Sequence, residues 1–174
     1  NIFSFDLETT SLEIQTAKIV GISFSIKSHE AYYVVMPRKN DEKKQILDLF
    51  KNIFINENIK KIGQNLKFDI GVLLSYGYKI KGQLIDTMIA HYLIDPSQRH
   101  NMDYIAKTEL NYAPIPLTNL IGEKKSNQIN IEDVSRDRLA DYAAEDADIT
   151  FQLWDILSKK LKERNLEKVF YDIE

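Results

Sequence analysis

Phe3-Ser4-Phe5-Asp6-Leu7-Glu8-Thr9-Thr10, close to the N-terminus, is the stretch whose reading sets the architecture. Ile2, Phe3, Phe5 and Leu7 have the spacing of a half-buried or central strand, and Thr9, Thr10 and Ser11 mark its exit into a turn. Successive strand side chains point to opposite faces, so Asp6 and Glu8 project from the same face a few ångströms apart. Two like charges held that close repel, and one must take up a proton unless a cation lies between them. Oxygen-rich pairs of this kind suit hard divalent ions, Mg²⁺ or Mn²⁺, rather than zinc. A strand whose polar face carries two acids by chance is the plain alternative. Convergence of further carboxylates on the same place decides between the two.

Outward from this strand, Ala17 to Ile26 alternates apolar with small polar residues, and Ala31 to Met36 is a second β-rich run stopped by Pro37. Short connections between three consecutive strands imply an antiparallel meander. From Asp41 the period changes, and Ile46, Leu47, Leu49, Phe50, Ile53 and Phe54 recur at helical spacing behind an acidic start. Lys60 to Gln64 reads as a brief strand, Leu66 to Leu74 as a helix ended near Gly77, Gln83 to Asp86 as a fifth strand, and Thr87 to Ile94 as a helix stopped before Pro96. The order βββαβαβα predicts an α/β fold with a mixed five-stranded sheet, meander plus parallel strands, flanked by helices.

The 174 residues suit one domain with one core, and the apolar and charged fractions, 44% and 28%, argue against disorder. A net charge of −3 is too mild to argue for or against nucleic acid, since a local basic stripe binds phosphate on an acidic protein. The absence of cysteine excludes disulfides and thiolate metal sites and is compatible with a reducing cytoplasm. No apolar run approaches membrane-spanning length, and no signal peptide is recognisable. The chain opens with Asn1 directly in a strand, which suggests a domain cut from something longer.

Two further stretches carry acids. In Gly63-Gln64-Asn65-Leu66-Lys67-Phe68-Asp69 the strand leaves through Gly63, and Asn65 is placed to cap the helix that carries Asp69 on its first turns. Helix-end electrostatics of about 0.3–1 kcal/mol would by itself account for an acid there. Arg138 to Asp148 lies in the last and longest helical pattern, where Tyr142 and Asp146, at i and i+4, stand on one face. Asp148 falls well round the helix and reads as peripheral; Asp141 and Glu145 read as a solvated face. Ala143, Ala144 and Ala147 are small enough to let another backbone come close.

The acid pair Asp6-Leu7-Glu8, then Asn65-x-x-x-Asp69, then Tyr142-x-x-x-Asp146, in that order, resembles the three motifs of the DEDD exonuclease superfamily, tyrosine subtype. More narrowly, Gly63 to Asp69, Arg99-His100-Asn101-Met102-Asp103 and Tyr142 to Asp148 resemble the 3′–5′ proofreading exonuclease domains of bacterial family A polymerases of the DNA polymerase I type. Each motif is weak singly, but all of them in order over nearly the whole chain are specific. The resemblance implies a ribonuclease-H-like fold, one exonuclease domain over residues 1–174, a polymerase domain in the same chain, a monomer, and a bacterial cytoplasmic, nucleoid-associated setting. The tail Val169 to Glu174 resembles the lead-in to the polymerase.

Hydrolysis of a terminal phosphodiester needs an activated water and charge neutralisation on the leaving oxygen, which two divalent ions roughly 3.5–4 Å apart supply together. By resemblance, Asp6 bridges two Mg²⁺ or Mn²⁺ ions, Glu8 and Asp146 complete the site of the attacking water, and Asp69 holds the second ion, partly through water. Tyr142 and Glu8 orient the nucleophile; a phenol with a pKa near 10 is a poor base at neutral pH, so its role is positional. The resemblance also carries over Thr9, Leu12, Gln64, Asn65, Arg99 and Met102 as contacts to the 3′ end of single-stranded DNA, with Leu12 wedged against the last base. Phe68 stands where many relatives have Tyr, and Leu117 at a position that is aromatic in the best-known relative. His29, His91 and His100 are remote in sequence from Asp146, unlike the histidine of related exonucleases; His91 reads as packed or exposed, and His100 as a loop residue suited equally to DNA contact or solvation. Lys124 and Lys125 read as a solvated loop with some attraction for phosphate. The other readings are an RNA-trimming nuclease of the ribonuclease D type, and a silent module bracing a polymerase, which would have lost metal-binding acids that this sequence retains.

Overall fold

A computed structural model describes every residue except Lys124, Ile173 and Glu174, and the side chain of Lys125 is also outside the description. The sheet is built from β1 (Ile2–Thr9), β2 (Ile19–Lys27), β3 (Glu30–Val35), β4 (Lys60–Gly63) and β5 (Leu84–Asp86), in the spatial order β3-β2-β1-β4-β5. The meander is antiparallel, whereas β4 pairs with β1 and with β5 in parallel. The helices are α1 (Asn40–Phe54), α2 (Leu66–Ser75), α3 (Thr87–Ile94), α4 (Met102–Ile105), α5 (Leu117–Ile121), α6 (Arg136–Glu163) and α7 (Glu167–Asp172). A π-helical turn over Ala106–Leu110 extends α4. The mixed five-stranded α/β sheet expected from the sequence is therefore present, with element ends shifted by a residue or two.

The alternation of β1 distributes its residues between two layers. Phe3, Phe5 and Leu7 pack with Ile22 and Phe24 of β2 under α1 and α2, against Leu47, Phe54, Leu66, Val72 and Leu73. On the opposite face α6 crosses β1, β2, β3 and β4. There the sheet presents Ser4, Asp6 and Glu8 opposite Ser25, Ser23 and Gly21, so the helix meets a floor of small or polar residues. Ala143 and Ala147 are fully buried against it, and Ser4 Oγ donates to the Ala147 carbonyl at 2.6 Å. The small residues of the helix thus bring it close to the sheet, as the sequence suggested. A second apolar cluster joins Ile62, Ile85, Ala90 and Ile105 to Leu153, Trp154 and Leu157 of α6 and to Phe170 of α7.

α2 is positioned differently from expectation. Asn65 takes the left-handed conformation, φ 57°, and its side chain caps nothing. Asp86, at the end of β5, instead accepts from the backbone N–H of Asn65 at 3.0 Å and of Leu66 at 2.7 Å, and caps α3 through Met88 N–H at 2.9 Å. One carboxylate therefore fixes the starts of two helices, because both leave the sheet at the same end. Among the described residues, no helix is long and apolar enough to cross a membrane.

Candidate active site

β4 pairs with β1 only from Ile2 to Ser4, so beyond Ser4 that edge of β1 is open. α2 begins there, and the freed Leu7 N–H donates to Asp69 Oδ1 at 3.2 Å. From the other side α6 brings Asp146 over the strand. One carboxylate oxygen each from Asp6, Glu8 and Asp146 can be chosen so that all lie within 4.8 Å of one another. Glu8 and Asp146 are buried, and Asp6 is partly exposed as a residue. Asp69, also buried, is not one of the three: its Oδ1 accepts from the β1 backbone, and its charge acts on Glu8.

Burial pushes the Asp6 carboxyl up to about 7. Glu8 is raised well above the ordinary carboxylate range by burial, then by the charges of Asp6, Asp146 and Asp69. Burial and Asp6 raise Asp69 and Asp146 likewise, partly offset by the Leu7 N–H in the first case and the Tyr142 hydroxyl in the second. Burial, followed by Asp146 and Glu8, drives the Tyr142 phenol upward, so it remains protonated at any physiological pH. A cluster that resists its own charge is relieved either by taking up protons or by a cation. The fit is supported by Glu8 Oε1, which is buried with no hydrogen-bond partner. Hard oxygen donors around an unsatisfied carboxylate suit a divalent ion of the magnesium or manganese kind.

Residues 1–162 match the family model described as 3′-5′ exonuclease. The chain belongs to the DNA polymerase I 3′–5′ exonuclease family. It is 42% identical over 98% of its length to the DNA polymerase I of Borreliella burgdorferi, covering 19% of that protein. It is 34% identical over 99% of its length to that of Pseudomonas aeruginosa, covering 20%. The exonuclease chain thus spans about a fifth of the length of these curated relatives. Among solved structures, Brucella melitensis NrnC bound to pGG superposes with a TM-score of 0.76 at 20% identity, over 98% of this chain and 78% of that one. That likeness agrees with the ribonuclease-H-like fold. The family depends on divalent metal, which agrees with the acidic cluster.

Around the exonuclease cluster the residues expected to meet DNA fall into two groups. Leu12 is 89% exposed on the turn after β1, Asn65 and Arg99 are exposed, and Met102 is half-buried with its sulfur 3.6 Å from Thr150 Oγ1. Gln64 and Thr9 are engaged within the protein. Thr9 Oγ1 donates to the Ser11 carbonyl at 3.0 Å, while Gln64 donates to the His100 carbonyl at 2.8 Å and accepts from Thr87 Oγ1 at 2.5 Å. Gln64 therefore ties the Arg99–Met102 loop to the end of β4. His91 is buried, its Nδ1 2.8 Å from that of His100, so this pair also anchors the loop. Phe68 packs on the aromatic core, and Leu117 is 41% exposed.

Two acids read as solvated or peripheral have structural work. Glu145 accepts from the Tyr112 hydroxyl and from Ile115 N–H, both at 2.6 Å, which corrects its reading as a solvated face. Asp148 lies outside the cluster, as expected, and accepts from His29 N–H at the β2–β3 turn. Asp86 was missed as a helix anchor although an acid directly before a helical run is a capping signal. Of the lysine pair in the loop after α5, Lys124 and the side chain of Lys125 lie outside the described residues.

Proposed function

We propose that this exonuclease domain hydrolyses the terminal phosphodiester of single-stranded or frayed DNA from the 3′ end and releases nucleoside 5′-monophosphates. It does so as one domain over residues 1–174 of a longer, monomeric, cytoplasmic polymerase chain, removing misincorporated nucleotides. The relatives support this setting, since each is a polymerase about five times as long. The observation that carries the proposal is the meeting of Asp6 and Glu8 from β1 with Asp146 from α6 around an unpartnered carboxylate oxygen.

Asp6, Glu8, Asp69 and Asp146 would hold two divalent cations, Mg²⁺ or Mn²⁺. Bound there, such ions neutralise charge on the phosphoryl and leaving oxygens and make water acidic enough to attack near neutral pH. The remaining roles belong to the protein. Tyr142, kept as a phenol and hydrogen-bonded to Asp146 here, would turn its hydroxyl to the attacking water once a cation engages Asp146, and Glu8 would accept from the same water, so the pair would fix its direction of approach. Asp69, whose Oδ1 accepts from the Leu7 N–H, would offer its other carboxylate oxygen to the second ion. Leu12 offers an apolar surface to the last base, which suits removal of any base because every base has a flat face. Asn65, Arg99 and Met102 line the approach of the strand, while Thr9 and Gln64 shape the loops that carry them.

The test is a time course with purified protein, Mg²⁺ or Mn²⁺ and a 5′-labelled single-stranded DNA, run beside an RNA of the same sequence. Stepwise shortening of DNA with release of 5′-mononucleotides, abolished by Asp6→Ala, is expected. Preferential digestion of the RNA would replace DNA as the substrate, and no digestion of either would remove the nuclease reading.

A further inference from the structure

Among the described residues, three buried side-chain polar atoms lack any hydrogen-bond partner: Glu8 Oε1, Ser23 Oγ and Tyr33 Oη. They are neighbours. Tyr33 of β3 pairs with Ser23 of β2, and Ser23 pairs with Asp6 of β1, so all lie on the sheet face that carries the cluster. A buried polar group without a partner costs about 1–3 kcal/mol, so three gathered in one patch are expected only where something else compensates them.

Gly21 shows how Tyr33 reaches Glu8. Gly21 stands directly opposite Glu8 in the β1–β2 ladder. A Cβ on Gly21 would meet Tyr33 Oη at 2.0 Å and the adjoining ring carbon at 2.2 Å. The hydroxyl therefore occupies the space where the cross-strand neighbour of Glu8 would begin, on the order of 5 Å from the Glu8 Cβ. Burial and the Glu8 charge both push the Tyr33 phenol upward, so it is a donor throughout the working pH range. A carboxylate oxygen has two lone pairs, so accepting Tyr33 does not prevent Glu8 from facing a cation as well.

We propose that Tyr33 is a positioning residue for Glu8: its hydroxyl, unpaired in this structure as Glu8 Oε1 is, stands across the gap left by Gly21 and becomes the donor to the Glu8 carboxylate when a cation draws that carboxylate toward Asp6 and Asp146, fixing the direction it faces. This rests on Glu8 serving the cation site proposed above. It gives the exonuclease two tyrosines with different work, Tyr142 toward the attacking water and Tyr33 behind the carboxylate. Gly21 is then required because any side chain there would expel the second one.

Tyr33→Phe removes the hydroxyl and keeps the ring. Mn²⁺ binding to wild type and variant is measured by titration calorimetry without DNA, and kcat and KM are measured on single-stranded DNA. The expected result is a loss of about tenfold in Mn²⁺ affinity and a comparable fall in kcat, with KM for DNA and the metal-free melting temperature unchanged or the latter raised. Gly21→Ala, which displaces the ring, is expected to lower Mn²⁺ affinity as much. Wild-type affinity and kcat in Tyr33→Phe overturn the proposal while leaving the nuclease reading intact. Absence of Mn²⁺ binding and cleavage in the wild type itself overturns both.

Discussion

On one face of β1, Phe3, Phe5 and Leu7 sink into an aromatic core in which Phe5 meets Phe54 edge-on at 5.4 Å and Phe24 stacks on Phe50 at 5.0 Å. On the other face, under α6, Ser4 and Glu8 are buried as deeply and Asp6 partly so, and the two carboxylates oppose their burial. The two faces share a backbone and a register, and each is covered by helices, α1 and α2 on one side and α6 on the other, so their difference is chemical. The aromatic face stabilises the domain whatever the solvent contains. The acidic face is a cost in the metal-free protein, tolerated because the aromatic face holds the strand in place.

The sharpest way to break this comparison is to damage the aromatic face. Phe5→Ala should destabilise by about 3–5 kcal/mol in urea or thermal unfolding, because the ring is fully buried between Phe3 of β1 and Phe54 of α1. Whatever fraction remains folded should keep its turnover number, since Phe5 points away from the cluster. A loss below about 1 kcal/mol would mean the aromatic layer is not what carries β1.

The acidic face should answer to pH and to cations instead. With Asp6 raised from 3.8 to about 7 and Glu8, Asp69 and Asp146 raised well above their ordinary range, the native chain holds more protons than the unfolded one between those limits. Stability of the metal-free protein therefore falls as pH rises from 5 to 8. Asp48, Glu57 and Asp95 are lowered and lose their opposite contribution only below the ordinary carboxylate range, outside this window, while His91, lowered by burial, opposes the trend at the acid end of the window as one imidazole against four acids. A fall in melting temperature of roughly 5 °C or more across the window is expected, reversed at pH 8 by millimolar Mn²⁺ and flattened in Asp6→Asn. A metal-free melting temperature that rises from pH 5 to 8 would contradict the electrostatic account of the cluster.

The same comparison explains what was legible beforehand. β1 showed both faces in its alternation, and Tyr142 with Asp146 showed a shared helix face, because periodicity is local. The meeting of these two stretches across 140 residues was reached only through the order of motifs, since nothing local in Asp146 says which strand it will face. Asn65 reads as a cap in the sequence because its residue type suits either a cap or a left-handed turn, and the structure adopts the turn with Asp86, 21 positions away, accepting from its N–H. In the sequence Tyr33 is visible only as part of a strand. Its relation to Glu8 depends on three strands in register and on the missing side chain of Gly21, which no single segment reveals.

Asp86 offers the finest test, because it is a buried acid whose charge is compensated rather than confronted. Burial raises it, but the backbone N–H groups of Leu66, Met88 and Asn65 pull it back. Asp86→Asn keeps the shape, removes the charge and turns one acceptor oxygen into an NH₂ group facing N–H donors. It should therefore destabilise by about 1–3 kcal/mol, where Asp6→Asn stabilises the metal-free protein. Both helix starts should loosen, and Asp69 rides on one of them only four residues past the turn, so kcat on single-stranded DNA should fall, by less than about 100-fold, with the Mn²⁺ affinity falling too. Parallel urea unfolding of the two variants at pH 8 without metal reads the opposite signs directly. If both stabilise, Asp86 belongs with the strained acids, and the start of α2 must be held by something other than this carboxylate.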